Sequence, residues 1–160
     1  MFFKIATIED KNKILDFYYE YYLNNKEIYK PEMSLDEWLK KLFCNYRNKE
    51  VMYLMYRKTD NKLIGISIIR LELNDFLKMY WGNVGYYINI TEQNKGYGKQ
   101  LFRFTLRECK KLGFEKVLIV CYKQNIVSAK IIKANKGVLI EEILDEDNKE
   151  LLQRYYIQLT

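Results

Sequence analysis

Histidine is absent from the 160-residue chain, and that absence removes whole classes of chemistry. A Ser-His-Asp triad, a histidine-activated cysteine and an imidazole-held metal are all excluded. Cysteine is scarce: Cys44, Cys109 and Cys121 are odd in number and widely separated. They give neither a disulfide framework nor a CxxC zinc pair, and they fit a reducing compartment. No metal site is expected. Long apolar runs are missing too, since Val51 to Tyr56 and Val117 to Tyr122 fall far short of the ~20 residues a membrane span needs. With no signal-peptide pattern at the N-terminus, the chain reads as cytoplasmic with no membrane partner. No internal repeat, low-complexity stretch or linker divides it, so residues 1–160 are expected to form a single domain.

What is present is an ordinary globular composition, 49% hydrophobic and 30% charged, with a net charge of +6. The positive excess is uneven. Lys95 to Lys136 holds eleven Lys or Arg against two Glu. Such a surplus suits a polyanionic ligand, either a phosphorylated cofactor or nucleic acid, or else a solvated helix face. Charge alone does not choose between them.

Periodicity predicts a strand at Phe3 to Thr7 and a helix from Lys11 to Leu23 with Ile14, Leu15, Tyr18, Tyr19 and Tyr22 inward. A second helix is expected after Pro31, opened by the capping box Ser34 and Glu37, with Leu35, Trp38, Leu39, Leu42 and Phe43 buried. Val51 to Arg57 and Leu63 to Leu71 read as a hairpin across the polar turn at Lys58 to Lys62. Glu72 to Asn83 reads as a partly buried aromatic loop. Val84 to Ile90 (strand), Gly98 to Leu112 (helix, with Phe102, Leu106, Cys109 and Leu112 inward) and Lys116 to Tyr122 (strand) make a strand-helix-strand unit. A helix at Ile126 to Asn135 and strands at Val138 to Ile143 and Leu151 to Leu159 complete a mixed α/β order.

The informative segment is Gln93-Asn94-Lys95-Gly96-Tyr97-Gly98, set between a strand and a basic amphipathic helix. Glycines let backbone N–H groups approach a ligand, and a helix N-terminus adds roughly half a positive charge, so phosphate oxygens suit the place. It is no Walker loop, because no Gly-Lys-Ser/Thr closes it. It is no GxGxxG dinucleotide fingerprint either, because the glycine spacing stops at Gly98.

The segment resembles the Q/R-x-x-G-x-G/A pyrophosphate-binding motif of the GNAT superfamily of acetyl-CoA-dependent acyltransferases. The strand Gly85 to Ile90 before it, the apolar strand Val117 to Cys121 after it, and Asn125 with Ser128 three residues on agree with that superfamily, as does the element order along nearly the whole chain. Gly85-Tyr86, Asn125, Ser128, Ile132, Asn135 and Gly137 further resemble a bacterial subgroup of predicted acetyltransferases. The resemblance implies one α/β (mixed α+β) domain with a central, mostly antiparallel twisted sheet of about seven strands and about four helices on both faces.

It also implies acetyl-CoA as cosubstrate and transfer of its acetyl group to an amine, with no covalent enzyme intermediate. Backbone N–H groups of Gln93, Asn94, Lys95, Gly96, Tyr97, Gly98 and Lys99 would bind the pyrophosphate. The strand end from Ile88 to Ile90 would pair with the pantetheine arm, and the Ile88 N–H would stabilise the oxyanion. Asn125 would hydrogen-bond the cofactor arm, and Ser128, Lys130 or Lys133 could reach the arm or the nucleotide phosphates. One departure is plain: many members carry a tyrosine seven residues after the Asn, as acid for the leaving thiolate, and here that position is Ile132. Tyr86, Tyr87, Tyr122, Tyr155, Tyr156 or solvent remain as replacements. Cys121 has no base to make it a nucleophile.

Glu72, Asp75 and Glu92 are candidate bases by location. Glu72, Asn74 and Asp75 are the residues expected to contact the acceptor, a small-molecule or peptide amine. A homodimer is compatible with the sequence. The competing reading is a catalytically silent acyl-CoA sensor. A nucleic-acid binder is disfavoured, because the aromatics sit at core spacing and no recognition motif is visible.

Overall fold

The computed structural model describes residues 1–24, 37 and 49–159, without the side chains of 22–24. Apart from Glu37, the helix expected after Pro31 lies outside the described residues, as do Cys44 and the Tyr22 side chain. The described elements are β1 (Phe2–Ile5), a 3-10 turn (Ile8–Asp10), α1 (Lys11–Asn24), β2 (Glu50–Arg57), β3 (Lys62–Arg70), α2 (Asp75–Tyr80), β4 (Val84–Ile88), a second 3-10 turn (Ile90–Glu92), α3 (Tyr97–Lys111), β5 (Lys116–Tyr122), α4 (Ile126–Ala134), β6 (Val138–Asp145) and β7 (Glu150–Gln158).

About seven mostly antiparallel strands were expected in one sheet; the described residues hold seven, all paired antiparallel, hydrogen-bonded as a sheet of four in the order β1-β2-β3-β4 and a sheet of three in the order β5-β7-β6. One residue clasps the two. The N–H of Asn83 donates to the Leu118 carbonyl at 2.7 Å, and its Oδ1 accepts the Leu118 N–H at 2.9 Å. Its Nδ2 donates to the Arg70 carbonyl at 3.1 Å, while its own carbonyl accepts the Arg70 N–H at 2.7 Å. Beside it Gly82 bridges Ile119 with φ +65, and a Cβ there would run into the Leu118 carbonyl. Beyond this clasp β4 pairs with β3 and β5 with β7, so the two strands part and leave a gap between their edges.

Helices cover both faces. On one, Ile14, Phe17 and Tyr18 of α1 bury against Met52, Leu54, Tyr56, Ile66 and Ile68. On the other, Phe102 and Cys109 of α3 and Ile131 and Ile132 of α4 pack on Ile69, Val84, Val117, Ile119 and Tyr155. Burial of this kind is the main favourable term in folding.

Three expectations are corrected. Tyr19 is exposed and Phe17 buried, because the inward stripe of α1 follows Ile14, Phe17 and Tyr18 at helical spacing. Leu112 is exposed because it is the C-cap of α3, beyond the last helical turn; Leu101 and Thr105 are buried instead, beside Phe102 and Cys109. The stretch from Glu72 to Asn83 contains a helix, not only a loop, because Asn74 caps it by accepting the Leu77 N–H at 2.8 Å. That helix buries no residue, and Phe76 and Met79 face water.

Candidate active site

Main-chain groups of an antiparallel strand point alternately to its two sides. The Asn83 carbonyl and the Asn89 N–H both bond β3, the latter to the Ile64 carbonyl at 2.8 Å. Odd-numbered residues of β4 therefore face β3 with their main chain, and Tyr86 and Ile88 turn theirs toward the gap before β5. The Ile88 carbonyl accepts Gln93 Nε2 at 3.3 Å. Side chains alternate as well. Tyr86 lies 5.1 Å from the Phe102 ring on the α3 face, and Tyr87 lies 5.6 Å from Tyr18 and 5.5 Å from Tyr21 on the α1 face.

The strand stops at Ile88, earlier than expected, because the Asn89 side chain caps the next turn by accepting the Thr91 N–H at 3.1 Å. Ile90 accordingly lies in that 3-10 turn and offers no strand edge to a ligand, which corrects the pairing expected of it.

The loop then turns twice through left-handed backbone, at Asn94 (φ 61) and at Gly96 (φ 82), the N-cap of α3. The first helical bond runs from the Gln100 N–H to the Gly96 carbonyl at 3.4 Å. The N–H groups of Tyr97, Gly98 and Lys99 thus have no carbonyl a turn earlier to bond. Nothing lies within 4 Å of a Cβ built on Gly96. A Cβ on Gly98 would sit 3.2 Å from Ile131 and 3.8 Å from Ile88, so this glycine lets the helix start settle between β4 and α4. Free N–H groups, a positive helix end and open space beside Gly96 together fit a pyrophosphate.

Glu92 stands behind the loop. Its carboxylate takes Arg57 Nη1, Lys62 Nζ and Lys95 Nζ, each at 3.0 Å, and the residue is 4% exposed. Lys62 and Lys95, then Arg57, hold its pKa down to about 2. A carboxylate so held is no general base, which corrects the sequence expectation. Lys95 also donates to the Thr91 carbonyl at 3.0 Å, so its side chain braces the loop and only its N–H remains for a ligand. Because the folded pKa lies below the ordinary glutamate value of about 4.3, the stabilisation from Glu92 is complete above that pH and is lost as pH falls toward about 2. The melting-midpoint difference between wild type and Glu92→Gln is expected to stay constant from about pH 5 to 8 and to shrink below about pH 4. A difference that changed between pH 6 and 8 would contradict this assignment.

Across the gap, Asn125 caps α4 by accepting the Ser128 N–H at 3.0 Å. Its Oδ1 is thereby occupied, and the Asn-x-x-Ser spacing is explained as a helix cap. The Ser128 hydroxyl meets the Tyr86 hydroxyl at 3.0 Å, joining β4 to α4, and burial pushes Tyr86 up to about 12. Cys121 lies buried nearby with its thiol raised by burial to about 11, the opposite of an activated nucleophile.

The other tyrosines are engaged elsewhere. Tyr122 donates to Asp145 at 3.1 Å, Tyr155 to Gln153 at 2.6 Å, and Tyr156 stacks under Lys116 at 4.7 Å. Ile132 is 0% exposed and abuts Gly137. Ile132→Tyr is expected to overpack this core and lower stability by about 1–3 kcal/mol rather than supply an acid, a loss that denaturant unfolding would measure.

The acceptor candidates are engaged in contacts of their own. Glu72 pairs with Lys49 at 3.1 Å in solvent, Asn74 is spent as the cap of α2, and Asp75 sits in that helix's first turn. Sequence reasoning missed Asn83 and Asn89, the buried asparagines at either end of β4. Their signal was an amide flanking each end of an apolar strand, where an unpaired polar group would be costly.

The profile of the acetyltransferase (GNAT) domain matches residues 6–137. The chain therefore belongs to the GNAT acetyltransferases, and it is an acetyl-CoA-dependent N-acetyltransferase. Solved structures of the same fold include a variant of the spermidine N-acetyltransferase from Vibrio cholerae, with a TM-score of 0.76 at 16% identity over 99% of this chain and 95% of that one. An N-acetyltransferase from Staphylococcus aureus gives 0.77 at 20% identity, over 99% and 98%. The yncA protein of Salmonella typhimurium, solved with its cofactor acetyl-CoA, gives 0.76 at 15% identity, over 99% and 94%. Comparison with curated proteins returns no sequence match. Among the described residues, no helix is long and apolar enough to cross a membrane and no group of residues is arranged to hold a metal ion.

Proposed function

We propose that an acceptor amine, on a small molecule or peptide, attacks the acetyl thioester directly while both substrates are bound. The supporting observation is the Ile88 main chain, turned into the gap between β4 and β5 and continuous with the unbonded N–H groups that open α3. Acetyl-CoA supplies an activated acyl group. The Gln93 N–H is spent on the Ile90 carbonyl at 3.5 Å, contrary to the role expected of it; the N–H groups from Asn94 to Lys99 hold the pyrophosphate, and Ser128 and the Asn125 amide border the arm. The Ile88 N–H donates to the carbonyl oxygen as negative charge develops there. The neutral amine attacks, the new C–N bond forms, the C–S bond breaks, and the amine nitrogen gives up one proton to solvent.

Tyr86 is the tyrosine that reaches α4 across this edge, yet a hydroxyl at about 12 is a far weaker acid than a thiol of about 8.5. Proton transfer from it to the departing thiolate runs uphill by roughly 5 kcal/mol. The thiolate therefore leaves as the anion and takes its proton from solvent. Tyr86→Phe is accordingly expected to keep kcat within about tenfold. A loss beyond about 100-fold, with acetyl-CoA affinity retained, would make Tyr86 the direct proton donor.

Initial-rate kinetics test the order of events. Intersecting double-reciprocal lines are expected for acetyl-CoA and amine. Parallel lines, with acetyl retained on the protein, would require a covalent intermediate. The acceptor of the Vibrio cholerae protein, spermidine, is a reasonable first amine to assay.

A further inference from the structure

The loop ahead of α3 takes its path through two left-handed residues, Asn94 (φ 61) and Gly96 (φ 82). A residue other than glycine stays in that region only where its surroundings hold it there. The hold comes from the hairpin of β2 and β3, on a side chain whose donors all go to protein groups.

Arg57 is the last residue of β2. Its Nε and Nη2 donate to the two carboxylate oxygens of Asp60 at 2.9 and 2.6 Å. Its Nη1 donates to Glu92 Oε2 at 3.0 Å, and the guanidinium also hydrogen-bonds the Tyr97 side chain. Glu92 ends the turn before the loop, and Tyr97 is the first residue of α3 after it. One planar group therefore ties both ends of the stretch from Gln93 to Gly96 to the hairpin. The Tyr97 ring is fixed as well, packed against Met55, Ile64 and Leu101.

Asp60 sets the direction of the fork. The pair is bidentate and lies within the hairpin, so the guanidinium plane is oriented independently of the loop. Arg57 holds the Asp60 pKa down to about 2, and both partners are charged across the neutral range. Lys62 adds bonds to Glu92 Oε1 at 3.0 Å and to the Thr91 hydroxyl at 2.9 Å. Both of these precede the loop, whereas Arg57 reaches its two sides.

We propose that Arg57 is a positioning residue for the cofactor: by bonding Glu92 and Tyr97 at once it presets the loop whose N–H groups receive the pyrophosphate. This rests on the phosphate site proposed above for that loop. A loop already held in its binding conformation loses less freedom when the ligand arrives, and affinity rises accordingly. Charge alone does not achieve this, since a lysine ammonium lacks the rigid fork that meets several acceptors in one plane.

Calorimetric titration of acetyl-CoA into the full-length wild type, Arg57→Ala and Arg57→Lys gives the first test. Arg57→Ala is expected to weaken binding roughly tenfold, and Arg57→Lys to restore only a minor part of the loss. Wild-type affinity in Arg57→Ala would overturn the proposal, and full restoration by Arg57→Lys would replace it with plain charge attraction. The second test needs no cofactor. NMR order parameters of the backbone from Gln93 to Lys99 in the free protein are expected near about 0.85 in wild type and to fall toward about 0.6 in Arg57→Ala, with those of β7 unchanged. Tyr97→Phe, which removes only the hydroxyl, should produce a smaller change of the same kind in both tests. Equal loop order in wild type and Arg57→Ala would overturn the proposal, as would an equal loss of order in β7, which would make the effect a global one. Failure of wild type to bind acetyl-CoA would instead count against the phosphate site, and the order parameters would then decide the role of Arg57 by themselves.

Discussion

Gly96→Asp is expected to weaken acetyl-CoA binding on the order of 100-fold while lowering the melting midpoint by only a few degrees. The two effects have separate causes. Gly96 has φ +82 and nothing within 4 Å of a Cβ position, so the aspartate Cβ meets no clash. It bears only the left-handed backbone cost, about 1–2 kcal/mol at most, which aspartate tolerates better than most residues. In a chain of this length each kcal/mol moves the midpoint by about 2–4 °C. The carboxylate, however, would stand where the pyrophosphate is proposed to lie. Two unit charges about 4 Å apart at an effective dielectric of ~20 repel by about 4 kcal/mol, and solvent at this exposed loop reduces that figure. Gly96→Ala is the control, since it shares the backbone cost without the charge. Equal losses of affinity in both variants would attribute the effect to loop conformation, and unchanged affinity in Gly96→Asp would remove the phosphate site from this loop.

Asn83→Leu is expected to cost the largest share of stability, about 2–4 kcal/mol. The side chain satisfies the buried Arg70 carbonyl and Leu118 N–H together. Leucine would leave both unpaired, at about 1–3 kcal/mol each, and would return part of the loss as apolar burial. Gly82→Ala attacks the same junction by a different route, pressing a Cβ into the Leu118 carbonyl at a positive φ. Urea unfolding at neutral pH measures both. A loss below about 1 kcal/mol for Asn83→Leu would mean that the two sheets are held together by their apolar cores, with the clasp incidental.

The regular elements were legible because their signals are local. Lys116–Tyr122 was read to the residue from an apolar run, and α3 to within one residue at each end from its helical period. The Gln93 to Gly98 segment was legible for a related reason, since glycine spacing ahead of a basic helix is a local pattern with a physical use.

Legibility failed where one side chain decides a backbone path. Asn74 starts α2 and Asn89 ends β4 early, yet an asparagine reads as loop in either place. It failed again where partners are distant in sequence. Nothing near Glu92 announces that Arg57 and Lys62 will converge on it. The Tyr86 to Ser128 contact spans 42 positions. Glu20 and Asn89 are separated by 69, and nothing local to either residue announces that contact.

The central claim is that acetyl-CoA engages the N–H groups opening α3 and the N–H of Ile88. Backbone amide NMR of the uniformly labelled protein, recorded with and without acetyl-CoA, reads those atoms directly. The account predicts that the amides of Gly96 through Lys99 and of Ile88 show the largest shifts and that their hydrogen exchange slows on binding. If acetyl-CoA binds while these amides stay unmoved and the changes fall elsewhere on the surface, the cofactor site described for this chain is wrong.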